Sequence, residues 1–209
     1  MHGCVRIGGC GTIFTNIRKM ENMRTVVYML MRLSECREKY GGTYQVERLV
    51  REGVLHRLET GVYADTVNHT ELEILLFKYP RAVVTKQSAY SVYDLSDAVP
   101  ELNHLAIDRD AHKISDPRVV QCFVPNGTLE IGVVQKKTVN ETISRIYDLE
   151  RLLIETVRYK TKLPYDLYRE VIGSFRAIAS DLYTARMCDY LESFPRKEAI
   201  LRTIESEVL

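Results

Sequence analysis

Residues 43–63 read Thr43-Tyr44-Gln45-Val46-Glu47-Arg48-Leu49-Val50-Arg51-Glu52-Gly53-Val54-Leu55-His56-Arg57-Leu58-Glu59-Thr60-Gly61-Val62-Tyr63. They divide into a short helix, a glycine stop and a two-stranded wing. Val46, Leu49 and Val50 form a one-sided apolar stripe at helical spacing. Thr43 is suited to cap the helix through its hydroxyl. Gly53 stands where a helix end favours a positive φ. Leu55, Leu58 and Val62 fit a small hairpin turning through Glu59-Thr60-Gly61. Many small domains hold DNA with a helix followed by a wing.

Upstream, Val26, Val27, Leu30 and Leu33 predict a helix from Asn22 to Leu33. Ser34 caps a short second helix, Glu35 to Tyr40, unless these residues continue the first; Gly41-Gly42 ends it. Three helices and a wing then make a winged helix-turn-helix domain over residues 21–65. Residues 1–20 scatter glycines without a helical period and read as a flexible extension, with Met20 or Met23 as internal starts. Gly8-Gly9-Cys10-Gly11-Thr12 lacks the spacing and the strand-loop-helix setting of a phosphate loop.

Downstream, Thr70-Glu71-Leu72-Glu73 is a capping box opening a helix that Pro80 closes. Ala82 to Thr85 predicts a buried strand and Lys86 to Tyr93 a helix. Leu102 to Ile107 and Val119 to Phe123 predict strands. Asn126-Gly127 supplies a turn, and Leu129 to Lys137 with Thr142 to Tyr147 forms a hairpin around Asn140. After Asp148 the pattern is helical. Leu149, Leu152, Leu153 and Val157 make one stripe; Tyr168, Val171, Ile172, Phe175, Ile178 and Ala179 make another after Pro164. Two further helices divide near Pro195. The fold class is α+β: the winged helix-turn-helix domain, then a mixed α/β domain over residues 66–209 with a helical C-terminal end.

The 209 residues carry a net charge of +1, so the chain as a whole is no general polyanion binder. Residues 1–65 hold 10 Lys/Arg against 7 Asp/Glu, and residues 66–209 hold 19 against 21. This mild asymmetry permits a nucleic-acid role for the first part. Cys4, Cys10, Cys36, Cys122 and Cys188 form no CxxC pair, which argues against a disulfide framework or zinc site and for a reducing cytoplasm. Cys122 and Cys188 lie in apolar patterns and read as small core residues. No apolar run reaches the roughly 20 residues that span a membrane.

The candidate DNA-binding residues are Tyr44, Gln45, Arg48 and Arg51 on the helix and His56 and Arg57 on the wing. Arginine can grip guanine or phosphate and glutamine can grip adenine. The competing reading is a solvated helix face, with Arg57 paired to Glu59. Asp148 reads as an N-cap and Glu150 as a favourable charge at the positive end of the helix, rather than as catalytic acids. Arg151 is expected to reach towards the interdomain region. His2, His56, His69, His104 and His112 show no metal-ligand spacing. No Ser-His-Asp or Cys-His set stands out, so neither a catalytic site nor a cofactor is expected.

The segment Gly53-Val54-Leu55-His56-Arg57-Leu58-Glu59-Thr60-Gly61-Val62-Tyr63 resembles the "G-x-L-x-R-(I/L)-E-x-G-(I/V)-Y" wing of the AbiEi family of type IV antitoxins. Ile146-Tyr147-Asp148-Leu149-Glu150-Arg151 is similar to that family's "Y-D-x-E-R" helix start. Ser88-Ala89-Tyr90, then Asp94-Leu95-Ser96-Asp97 and Pro100, resembles its "S-A-x…L-T-D…P". The three fall in the family's order, and the stretch from Arg158-Tyr159-Lys160 to Phe175-Arg176 is similar to one subgroup. The resemblance covers residues 24 to 209. It implies an antitoxin that represses its own promoter by binding duplex DNA. It also implies a partner toxin of the nucleotidyltransferase type, opposed without need of a stable complex. An alternative of another class is a protein-interaction module whose winged helix no longer binds DNA. An enzyme in residues 66–209 is disfavoured, since no paired acids with a lysine fall on adjacent strands.

Overall fold

The computed structural model describes residues 29–137 and 143–209. The extension at 1–20, the start of the helix expected from Asn22, Cys4, Cys10 and the turn residue Asn140 lie outside the described residues. The fold is mixed α and β, built on two sheets of different size.

The first unit runs β1 (Leu30–Arg32), α1 (Leu33–Tyr40), α2 (Thr43–Arg51), β2 (His56–Glu59) and β3 (Val62–Ala64). Its strands form an antiparallel sheet in the order β1-β3-β2. The helix expected over Asn22 to Leu33 is corrected at its described end, because Leu30–Arg32 is a strand paired with β3. Apolar spacing over so short a run fits either period. Pairing with β3 satisfies the backbone of the segment, and the alternation of buried Met31 with exposed Arg32 is that of a strand. Among the described residues the unit has two helices, α1 and α2.

Helix α1 ends as its glycines require. Gly41 has φ 85°, and the amides of Gly41 and Gly42 both donate to the Arg37 carbonyl at 3.0 and 2.9 Å. Two expected caps are corrected. Ser34 lies inside α1, whose N-terminal boundary is Arg32, with the Arg32 amide donating to Glu35 Oε2 at 2.6 Å. Thr43 is the first residue of α2 and makes no capping bond; Gly42, with φ 111°, takes the boundary because only glycine reaches that conformation freely. Met31, Cys36, Val46, Leu55 and Tyr63 pack together as this unit's core.

The second unit opens with α3 (Glu71–Lys78), capped as expected: Glu73 N donates to Thr70 Oγ1 at 3.3 Å and Thr70 N to Glu73 Oε2 at 3.0 Å. There follow β4 (Val83–Val84), α4 (Lys86–Val92), β5 (Asn103–Asp108), β6 (Val119–Val124), β7 (Val133–Lys137) and β8 (Ile143–Tyr147). The strands form a five-stranded mixed sheet in the order β6-β5-β4-β8-β7. Leu129, expected in a strand, lies buried in the turn before β7. Helices α5 (Leu149–Arg158), α6 (Tyr165–Ala177), α7 (Thr184–Leu191) and α8 (Lys197–Glu207) complete the chain. Strand alternation sorts the sheet's two faces. Val84, Leu105, Ile107 and Ile146 join the large helical core, while Val83, Ala106 and Tyr147 join a smaller cluster with Leu129.

Helix α5 is buried along its whole length except its first and last residues, not along one stripe. Glu150, Arg151, Glu155 and Thr156 are therefore inside with the leucines. Cys122 is buried as expected, but Cys188 is exposed on α7. Among the described residues no helix is long and apolar enough to cross a membrane.

Candidate nucleic-acid interface

Helix α2 follows a tight two-glycine connection and packs Val46 inward, with Leu49 and Val50 against the same core. At about 100° per residue, Tyr44, Arg48 and Arg51 fall within an arc of about 60° on the opposite side. All three are exposed, Tyr44 to 68%. Gln45 lies about 100° round the helix from Tyr44 and is half-buried. The structure thus brings together three of the four helix candidates and sets Gln45 to one side.

Arg48 Nε lies 3.5 Å from Glu52 Oε1, with both side chains about half exposed. Such an exposed pair contributes little and opens readily to another anion. Arg51 has no ion-pair partner among the described residues. Residues 29–65 contain six Lys/Arg and six Asp/Glu, so any attraction for phosphate comes from where these charges sit and not from their sum.

The wing candidates part company on β2. Arg57 is exposed and His56 is half-buried, as strand alternation requires of neighbours. Arg57 has no ion pair among the described residues, and the expected alternative pairing with Glu59 is corrected. Strict alternation would put Arg57 and Glu59 on one face. A bulge intervenes: Arg57 pairs with Tyr63 and Glu59 with Val62, leaving Leu58 as the extra residue.

Glu59 instead meets the second unit. Lys78 Nζ, at the end of α3, donates to Glu59 Oε2 at 3.0 Å and to Asp116 Oδ2 at 2.9 Å. Arg118 donates to Glu59 Oε1 through Nη1, and to Asp116 through Nε and Nη2 at 2.8 Å each. These bonds to Arg118 hold the Glu59 carboxyl below its usual range and Asp116 well below it. Burial opposes the charge on Lys78, but its bonds to Asp116 and Glu59 outweigh that and raise its pKa. Sequence reading missed Lys78, Asp116 and Arg118, which lie 19 to 59 positions from Glu59. Nothing local marks such a meeting.

The second polar centre surrounds the start of α5. Asp148 caps the helix as expected, accepting from the Arg151 amide at 2.9 Å, and its other oxygen accepts from Tyr190 OH at 2.8 Å. Burial raises the Asp148 carboxyl above its usual range against the lowering effect of those bonds. Burial and the bond to Asp148 push the Tyr190 phenol up to about 12. Glu150 accepts from the Tyr183 amide at 2.9 Å. Arg151 does not reach between the units. It is wholly buried, donating to the carbonyls of Thr128 at 3.0 Å and Ile131 at 3.3 Å and to Glu155 at 2.8 Å, with its guanidinium 4.5 and 4.4 Å from the ring centres of Tyr147 and Phe194. Its charge is spent on closing the loop before β7.

No family model and no curated protein matches this sequence. Among the described residues no group of three or more His, Cys, Asp or Glu is placed to hold a metal ion.

Proposed function

We propose that the chain is the antitoxin of a type IV toxin-antitoxin system, a cytoplasmic repressor that binds duplex DNA at its own promoter and counteracts a nucleotidyltransferase toxin. In this reading residues 21–65 are a winged helix-turn-helix domain and residues 66–209 the AbiEi-like antitoxin domain. The protein binds and is not a catalyst. One observation carries the DNA-binding part. The order β1-α1-α2-β2-β3, closed as a β1-β3-β2 sheet, packs α2 by its apolar side and leaves Tyr44, Arg48 and Arg51 together on the outside. An exposed aromatic flanked by two arginines suits a phosphate backbone and base edges. The antitoxin part rests on the ordered motif resemblance in residues 43–155.

The second reading, a protein-interaction module, is favoured by the balanced charge of residues 29–65 and by Tyr44 and Val54, exposed to 68% and 58%. An electrophoretic shift with the protein's own upstream DNA, against an unrelated duplex of equal length, separates the two. A specific shift supports the repressor; no shift at low salt supports the interaction module. Co-expression of the full chain with the product of a neighbouring nucleotidyltransferase gene tests neutralisation. Unrelieved toxicity in the presence of soluble, folded protein overturns the antitoxin reading.

A further inference from the structure

We infer that the end of the β2–β3 hairpin is the strut that fixes the two units to each other, with Glu59 as its anchor, and is not a free arm for DNA. The connection between the units is short: β3 ends at Ala64 and α3 is capped by Thr70. A covalent tether of that length leaves relative motion open unless contacts close it.

The contacts are concentrated at the hairpin's end. The bulge after Arg57 turns Glu59 onto Lys78 and Arg118, so the hairpin offers one anion to two cations of the other unit. Asp116 lies behind both cations, its side chain only 6% exposed, and bonds to each. Its bonds to both cations are made without Glu59, and cations already positioned by another carboxylate reduce the ordering cost of the contact. The mounting is firm on the second unit's side. Lys78 is the last residue of α3, and Arg118 immediately precedes β6, its carbonyl accepting from the Asn103 amide at 2.8 Å. Next to this latch, Thr60 and Gly61 of the hairpin turn line a cleft of about 450 Å³ together with Phe77, Lys78 and Tyr79. From the same side the Arg32 guanidinium stands 5.7 Å from the centre of the Phe77 ring.

The joint does not depend on DNA binding; its consequence for DNA does rest on the function proposed above. With Glu59 held in the joint, Arg57 is the exposed basic residue that the hairpin offers DNA, and the main contact falls to α2. The second unit thereby sets how α2 is presented.

The test uses the full chain with Arg118→Met, Glu59→Gln and the double variant, followed by amide hydrogen exchange. Arg118→Met and Glu59→Gln should each speed exchange of the β2 and β3 amides about fivefold, the scale of one partly exposed ion pair. The double variant should add little to either single one, since both break the same contact. Exchange in α5 and α6 should stay as in the parent. Unchanged β2 and β3 exchange in both single variants, or fully additive effects in the double variant, overturns the joint. If Arg118→Met does not fold, Lys78→Met replaces it in the same cycle with the same expectations. DNA affinity measured alongside separates the two ideas. Faster hairpin exchange with no DNA binding even by the parent protein keeps the joint and removes the DNA-binding reading. Specific binding by the parent with unaltered hairpin exchange in the variants does the reverse.

Discussion

Gly132 and Arg151 approach so closely that a Cβ on the glycine would lie 2.5 Å from Cβ of the arginine. Gly132 has φ 73°, and its carbonyl accepts from the Asp148 amide at 2.7 Å. The loop before β7 is thus pressed against the first turn of α5, where Arg151 binds two of its carbonyls.

Replacement of Gly132 by Ala should therefore be costly. The left-handed backbone alone disfavours alanine by about 1–2 kcal/mol, and forcing a methyl group into an occupied site adds about 1–3 kcal/mol. Gly127, with φ 78° and open space around it, is the control and should show only the first effect. Urea melts of the two variants check this. Equal losses would mean that the Arg151 contact yields at no cost.

Asp148→Ala should destabilise the protein by about 1 kcal/mol through loss of the helix cap. Tyr190→Phe should cost about as much, since its hydroxyl is bonded to the same carboxylate. The two should be coupled in a double-mutant cycle, and DNA affinity should be unchanged in folded protein. Wild-type stability with lost toxin neutralisation in Asp148→Ala would give this carboxylate a functional role.

Arg48→Ala, Arg51→Ala and Arg57→Ala combined should weaken DNA binding and flatten its dependence on salt. Each arginine that meets a phosphate adds about 0.9 to the slope of log affinity against log salt. The joint described above assigns most of that change to the two helix arginines. Titrations at several salt concentrations check it, and a triple variant with unchanged affinity and slope would remove this surface from the DNA-binding reading. Toxin neutralisation by the triple variant should persist, since none of the three side chains lies in residues 66–209.

Acid should weaken the joint between the units. Glu59 and Asp116 have folded pKa values below the ordinary range, held down by Arg118. A carboxyl lowered on folding takes up its proton more readily in the unfolded chain. The stability it contributes is present above the unfolded value of about 4 and is lost as pH falls through the folded one. Asp148, raised by burial, acts in the opposite direction in the same chain, so the parent's acid profile alone is ambiguous. The difference in stability between the parent and Arg118→Met isolates the joint. It should be constant near neutrality and shrink below about pH 4. A difference that stays constant into acid would dissociate these carboxyls from Arg118.

The sequence by itself determined the parts whose causes are local. The capping box at Thr70 and Glu73, the stops at Gly41 and Gly53, the cap at Asp148, and the helix bounds near Pro164 and Pro195 all depend on residues a few positions apart. Helix α2 was legible for the same reason, because its apolar stripe and exposed arginines repeat at helical spacing. The tertiary structure decided what depends on distant partners. Leu30–Arg32 is a strand because β3 offers it an edge, though its spacing suits a helix. Arg151 is buried because two carbonyls from 20 and 23 positions earlier meet its guanidinium. Glu59 turns away from Arg57 because a bulge re-aims it towards cations far along the chain. Short-range steric and hydrogen-bonding rules are written in neighbouring residues; the pairing of buried charges is set only when separate elements pack and leave each charge one place to be neutralised.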